Sequence, residues 1–289
     1  MQVVERKFNV DGHHIAVKQW GNPENPIIIA LHGWLDNAAS YDLLAPGLHD
    51  YCVVTIDFAG HGLSCHRPEG MRYHLLDNVD DVVAVADQLG LDRFILMGHS
   101  MGAGVSSVLA GAFPERIEKL ILLEGIGAVT TEADQAPKVL RQAVKDMQQA
   151  SNKQKPLYSR EDDAIKARMG ALGGISASAS RSLCKRGLVA VEGGYTWRSD
   201  PRVKMGSAMR LTEEMTAAYL KALDMPVLLI MGNHSFTAGS EVVANRTKHV
   251  ANLEYHKVDG NHHLHLEPDT YKGALDLIRR FLKSTAVAY

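Results

Sequence analysis

Cysteine is scarce in this 289-residue chain: Cys52, Cys65 and Cys184 are all it has. Their number is odd, their spacing wide and no Cys-x-x-Cys pair occurs, which argues against a disulfide framework or a thiolate zinc site. An excess of either charge is missing too. Lysine and arginine number 31 against 33 aspartates and glutamates, for a net charge of −2 and a pI of about 6.7. Neither nucleic acid nor an anionic membrane is therefore the expected partner. No stretch approaches the ~18 consecutive apolar residues that span a bilayer, so membrane insertion is not expected. The first ten residues carry Glu5, Arg6 and Lys7 and no apolar run, so no signal peptide is read and a cytoplasmic location is expected. Internal repeats and low-complexity tracts are lacking as well. What is present is a globular composition: 46% hydrophobic and 22% charged residues can bury a sizeable core. Histidine is plentiful at 14, which concentrates charge change between mildly acidic and neutral pH.

Short apolar runs recur, each closed by a turn signal. Ile27 to Leu31 ends at His32-Gly33, Cys52 to Ile56 at Asp57, Phe94 to Met97 at Gly98, Leu120 to Leu123 at Glu124-Gly125, and Val227 to Met231 at Gly232. Runs without polar alternation suit strands covered on both faces, as in a parallel sheet. Helical patterns lie between them: Asn78 to Leu89, with Val79, Val82, Val83 and Ala86 on one stripe, then Ser100 to Ala112, and finally Tyr271 to Leu282. Alternating strand and helix predict an open α/β sheet with its ligand site at the C-terminal strand ends.

From about Ala128 to Lys204 that rhythm breaks. A polar helical segment (Ala133 to Ala150), a small-residue stretch (Gly170 to Ser182) and an aromatic-polar segment (Glu192 to Arg202) replace the apolar runs. The chain therefore reads as a core of residues 1–127 and 209–289 with a mostly helical cap at 128–208, between the strands ending near Glu124 and beginning near Val227. Met169, Leu172, Ile175, Leu188 and Trp197 in the cap suit either a partly apolar substrate pocket or packing of the cap onto the core.

The strongest chemical signal is Gly98-His99-Ser100-Met101-Gly102. A G-x-S-x-G pattern arises by chance in roughly 0.1 chains of this size at average glycine and serine usage. An apolar strand before it and a helix after it make it a nucleophile elbow, a tight turn that lifts a serine hydroxyl above the sheet at the positive end of a helix. Glycines flank it because the turn leaves no room for Cβ atoms.

With His32-Gly33-Trp34 after the first long apolar run and Asp57-Phe-Ala-Gly-His-Gly-Leu-Ser64 after the next, the chain resembles the α/β-hydrolases over nearly its whole length. The resemblance implies an oxyanion hole made by the backbone N–H groups of Trp34 and Met101, two donors aimed at the charge that develops in acyl transfer. His61 and Asp57 read as loop-bracing residues. The resemblance also implies a histidine base after the last strand, within Asp259-Gly-Asn-His-His-Leu-His-Leu-Glu-Pro268. In similar sequences the base stands five residues before a Glu-Pro element, so the resemblance implies His262 ahead of Glu267, with His263 next and His265 third. These clustered histidines lack the helical H-x-x-x-H spacing of a zinc site, so no metal is expected.

The commonest family pattern puts the triad acid in the loop after Val227 to Met231, but Gly232-Asn-His-Ser-Phe-Thr-Ala-Gly239 contains none. Some α/β-hydrolases carry it one strand earlier, which here is Glu124. A carboxylate leaving an apolar strand needs a charged partner. Asp259 is second choice, and Asp224 lies at the wrong end of its strand. The relocated acid, the histidine segment and Gly-Gly-Tyr-Thr-Trp-Arg-Ser-Asp-Pro-Arg202 in the cap resemble the serine hydrolase-like branch of the fold. What this implies is a cofactor-independent serine hydrolase acting on a small-molecule acyl substrate, foremost a carboxylic ester, by a Ser100–His262–Glu124 triad. Thioester, lactone or carbon–carbon cleavage and a non-catalytic ligand-binding protein are the alternatives.

Overall fold

Apolar runs with no polar alternation form the middle of an eight-stranded sheet. The computed structural model describes residues 2–149, 154–171 and 173–284. In chain order the strands are β1 (Val3–Val10), β2 (His13–Trp20), β3 (Ile27–Leu31), β4 (Cys52–Ile56), β5 (Phe94–His99), β6 (Ile117–Leu123), β7 (Leu188–Val191), β8 (Gly194–Trp197), β9 (Val227–Gly232) and β10 (Leu253–Val258). The helices are α1 (Asp77–Gln88), α2 (Met101–Ala112), α3 (Ala136–Gln148), α4 (Glu161–Met169), α5 (Ala177–Gly187), α6 (Glu213–Lys221), α7 (Glu241–Thr247) and α8 (Tyr271–Lys283). The main sheet runs β1-β2-β4-β3-β5-β6-β9-β10. From β4 to β10 its neighbours are parallel, while β1, β2 and β4 pair antiparallel. This is the α/β-hydrolase fold.

Successive strand residues point to opposite faces, and here both faces are apolar. Ile29, Leu31, Val54, Leu96 and Leu122 face α1 and α2 through Val82, Val85, Val105 and Leu109. Ile28, Val53, Ile95, Met97 and Ile121 face α8 through Ala274, Leu277, Ile278 and Phe281. Helix α2 approaches the sheet closely because its helical residues are small. A Cβ on Gly102 would lie 2.2 Å from the Leu31 carbonyl oxygen.

Two hairpins have no counterpart in the sequence reading. β1 and β2 turn at Asp11-Gly12, whose φ values of +47° and +83° are those of a tight hairpin. β7 and β8 pair around Gly193 and Gly194, so the segment between β6 and β9 is not helical throughout. Helix α3 begins only after a short 3-10 turn at Ala133–Gln135, and Ala150, the expected end of that segment, lies outside the described residues. Of the cap residues singled out, Ile175 packs with Ala39, Ala179, Leu183 and Leu266, while Met169, Leu188 and Trp197 pack around Ala164, Ile165 and Cys184. Met169, Leu188 and Trp197 thus build a small core within the segment between β6 and β9, while Ile175 packs that segment onto Ala39 and Leu266; Leu172 lies outside the described residues.

Polar contacts tie the segment between β6 and β9 to the rest of the chain. Arg168 of α4 pairs with the buried Asp36. Arg186 of α5 pairs with the buried Asp57 at 2.8 Å and with Glu5 of β1 at 2.6 Å. The backbone N–H of Ser176, the N-cap of α5, donates to Glu267 at 2.8 Å. The three thiols are free. Among the described residues no helix is long and apolar enough to cross a membrane.

Candidate active site

Ser100 sits between β5 and α2 with φ +51° and ψ −112°, a conformation that non-glycine residues adopt only when their surroundings enforce it. Its backbone N–H donates to the Leu123 carbonyl at 2.9 Å, at the end of the neighbouring strand. A Cβ on Gly98 would lie 2.4 Å from the Gly102 carbonyl oxygen, so both glycines of the motif are sterically required. Met101 opens α2, which leaves its N–H without an intrahelical acceptor and directed beyond the helix end.

Glu124 ends β6 in a second left-handed conformation, φ +58°, with its N–H held by the Ile230 carbonyl at 2.9 Å. The two strained residues thus lie at the tips of adjacent parallel strands. His262 reaches both from the loop after β10. Its Nε2 accepts from the Ser100 hydroxyl at 2.9 Å and its Nδ1–H donates to Glu124 Oε2 at 3.0 Å. A carboxylate can only accept, and that fixes the tautomer. The structure therefore brings Ser100, His262 and Glu124 into one hydrogen-bonded chain. Asp259 stays outside it: its side chain is 83% exposed and pairs with His234 at 3.1 Å. Asp224 is exposed before β9.

The acid-free loop after β9 serves Glu124 instead. The Gly232 N–H and the Ser235 hydroxyl donate to its carboxylate, and Thr237 Oγ1 approaches Oε2 at 3.1 Å. Phe236, 59% exposed, lays its ring 4.5 Å from the His262 ring, centroid to centroid. The loop after β3 is braced as well. The Trp34 side chain is 40% exposed and its indole N–H donates to the Val203 carbonyl at 2.8 Å, so it is not a core aromatic. Leu35 follows it at φ +63°. His61 Nε2 accepts from the Leu35 N–H at 3.4 Å, and Asp57 accepts from Ala38 and Leu63 N–H groups at 2.7 Å each. Both therefore brace loops.

The alpha/beta hydrolase fold family model matches residues 26–160. A serine hydrolase-like protein of Dictyostelium discoideum is 34% identical over 274 residues, covering 89% of this chain and 75% of that one. This chain belongs to the serine hydrolase-like α/β-hydrolases. Among solved structures, a hypothetical protein of Pseudomonas aeruginosa PAO1 is 41% identical at a TM-score of 0.93, covering 97% of this chain and 99% of that one. The thioesterase domain from the curacin biosynthetic pathway is 25% identical at a TM-score of 0.84, covering 96% of this chain and 100% of that domain.

In this serine hydrolase-like protein the other histidines of the C-terminal segment lie behind the three-residue chain. His99 Nε2–H donates to the His262 carbonyl at 2.8 Å, tying the elbow to the histidine loop. Its Nδ1 and the His263 Nε2 each lie 3.7 Å from Asp36 Oδ2. His265 is fully buried beside His99, ring centroids 4.1 Å apart. Burial pushes His263 down to about 4 and His265 to about 3, and it holds His99 well below the ordinary imidazole range. His32 and His61, in the loops after β3 and β4, are lowered by burial to about 4 and about 3. All five are thus neutral at pH 7. Burial alone pushes the Asp36 carboxyl up, yet the Arg168 guanidinium beside it holds it below the usual carboxylate range. Among the described residues, no group of three or more His, Cys, Asp or Glu side chains is arranged to hold a metal ion.

Sequence reasoning missed Asp36, Arg168, Ser235 and Thr237. The hydroxyls carried a signal, since a loop that lacks the usual acid yet keeps Ser-x-Thr offers donors where a carboxylate elsewhere needs them. Arg168 and Asp36 stand 132 residues apart in the chain, and nothing in either local segment connects them.

Proposed function

We propose that this protein is a serine hydrolase that cleaves carboxylic esters through an acyl-enzyme, with Ser100 as nucleophile, His262 as general base and acid, and Glu124 as the triad acid. The observation that carries the reading is the Ser100 hydroxyl 2.9 Å from His262 Nε2, with Nδ1 of the same ring 3.0 Å from Glu124. A serine hydroxyl is a poor nucleophile at neutral pH until a base takes its proton. As Ser100 Oγ attacks the ester carbonyl carbon, its proton passes to His262 Nε2 and negative charge forms on the carbonyl oxygen. The N–H groups of Trp34 and Met101 hold that oxygen, and losing one such donor typically costs about 10²–10³ in kcat. Glu124 keeps Nδ1 protonated and stabilises the imidazolium. The Nε2 proton then goes to the departing alcohol oxygen as the C–O bond breaks. Water, deprotonated by the same imidazole, attacks the acyl-serine, and His262 Nε2 returns that proton to Ser100 Oγ as the acyl C–O bond breaks and the carboxylic acid leaves. Every step is served by the chain's own groups, so the reading requires no cofactor.

The test is a panel of nitrophenyl acyl esters, together with a fluorophosphonate probe whose attachment site is mapped. The expected result is turnover and labelling at Ser100, both abolished in Ser100→Ala. Turnover that survives in Ser100→Ala, or no turnover and no labelling in the wild type, refutes the reading, the latter in favour of a non-catalytic binding protein. Likeness to the curacin thioesterase domain supports a second reading on the same residues, a thioester acyl bond. An acyl-thioester set beside the oxygen esters separates the two by kcat/KM.

A further inference from the structure

We propose that Ser235 and Thr237 are positioning residues for the triad acid, a hydroxyl pair in the loop after β9 that holds the Glu124 carboxylate against His262. The inference rests on the Ser–His–Glu reading above and deepens it. Glu124 has one more rotatable bond than aspartate and leaves β6 at a strained backbone, φ +58°. Its carboxylate therefore needs an external hold to keep Oε2 facing His262 Nδ1. One short loop supplies it. The Gly232 N–H donates to Oε1, while the Ser235 hydroxyl and Thr237 Oγ1 meet His262 at Oε2. The pair is itself linked, Ser235 Oγ to Thr237 Oγ1 at 2.8 Å, and Ser235 Oγ accepts the Thr237 N–H at 3.3 Å.

Two hydroxyl protons serve these contacts, and Ser235 stands at the centre of them. Thr237 donates either to Oε2 itself or to Ser235, which passes the polarisation on. Phe236 between them covers the His262 ring, so the same tripeptide holds the acid and shields the base. Hydrogen bonds to a charged group are worth enough that losing the central one costs about 10- to 100-fold.

Full-length Ser235→Ala, Ser235→Thr, Thr237→Val, Thr237→Ser and the Ser235→Ala/Thr237→Val double variant test this by hydrolysis of 4-nitrophenyl acetate and by the fluorophosphonate labelling rate of Ser100. Ser235→Ala should lower kcat about 10- to 100-fold with KM nearly unchanged. Thr237→Val should lower it less, and Ser235→Thr and Thr237→Ser should restore activity because they keep the hydroxyl. Should Ser235→Ala fail to fold, the near-isosteric Thr237→Val against Thr237→Ser decides. A double variant with wild-type kcat and labelling rate overturns the proposal. So does a loss that falls on KM, or one shared equally by Thr237→Ser. Wild type that is labelled at Ser100 while the double variant is unaffected refutes this inference and leaves the serine-hydrolase reading standing. Wild type that neither turns over nor labels refutes both.

Discussion

Acidifying the protein from pH 7 to pH 5 should strip away much of its stability through its neutral imidazoles. His32, His61, His99, His263 and His265 are all buried, and burial lowers each below the ordinary value of 6.5, to about 3 or 4 in four of them. In the unfolded chain the same rings take a proton near pH 6.5. Between pH 6.5 and about 4 the unfolded state therefore binds more protons than the folded one. Stability is fully present above pH 6.5 and is lost as pH falls. Well below 6.5 the slope is about 1.4 kcal/mol per pH unit for each ring. At pH 5 the loss is about 2 kcal/mol per ring and on the order of 10 kcal/mol for all five, against a total of about 5–15 kcal/mol for a typical native protein. Urea unfolding at half-unit steps from pH 8 to 4.5 measures it. The unfolding free energy should be flat above pH 7, then fall steeply with an uptake approaching five protons. His265→Phe, which removes a ring with no role in the proposed chemistry, should lower that uptake by one. A free energy that changes by less than about 2 kcal/mol between pH 7 and pH 5 refutes the reasoning, because the rings would then be protonated or solvated in the native state.

Glu124→Gln should lower kcat by about 10⁴, as loss of the orienting acid does in the Ser-His-Asp case, while Asp259→Asn, exposed and remote, stays near wild type; steady-state kinetics on one nitrophenyl ester compares them. Gly102→Ala should destabilise by about 3 kcal/mol or more in urea and abolish phosphonate labelling, because its Cβ would meet the Leu31 and His32 carbonyl oxygens at 2.2 and 2.7 Å. Arg168→Met leaves the Asp36 charge buried without its cation and should cost about 3–5 kcal/mol in the same assay.

The local parts of the site were legible in the sequence. Ser100 announced itself because glycine at both flanks and an apolar strand before it are short-range requirements of one turn. His262 followed from its spacing to Glu267, a residue that turns out to bind the N–H at the start of α5. Glu124 was readable as the charge at the end of an otherwise apolar strand. The edges of the fold were not. β1 is exposed along most of its length and every residue of β8 is half-buried, so neither shows a clean alternation of buried and exposed side chains. The Asp11-Gly12 turn was the overlooked signal for the first hairpin. Contacts such as Arg168–Asp36 and Ser235–Glu124 escape a pattern search for a different reason. Each joins residues more than a hundred positions apart through a single polar group, with no periodicity to betray it.

The seam between the β6–β9 segment and the sheet has a practical corollary for anyone exchanging that segment for another. Three anchor points on the body, Asp36, Asp57 and Glu267, are acidic, and each meets a donor from α4 or the α5 region. A transplanted segment lacking those donors would strand three carboxylates in the dry interior beneath it. Chimaeras should therefore carry Arg168, Arg186 and the Ser176 turn across with the graft, or neutralise their acceptors in the recipient. Trimming the first strand carries the same warning, since Glu5 is the second hold on Arg186.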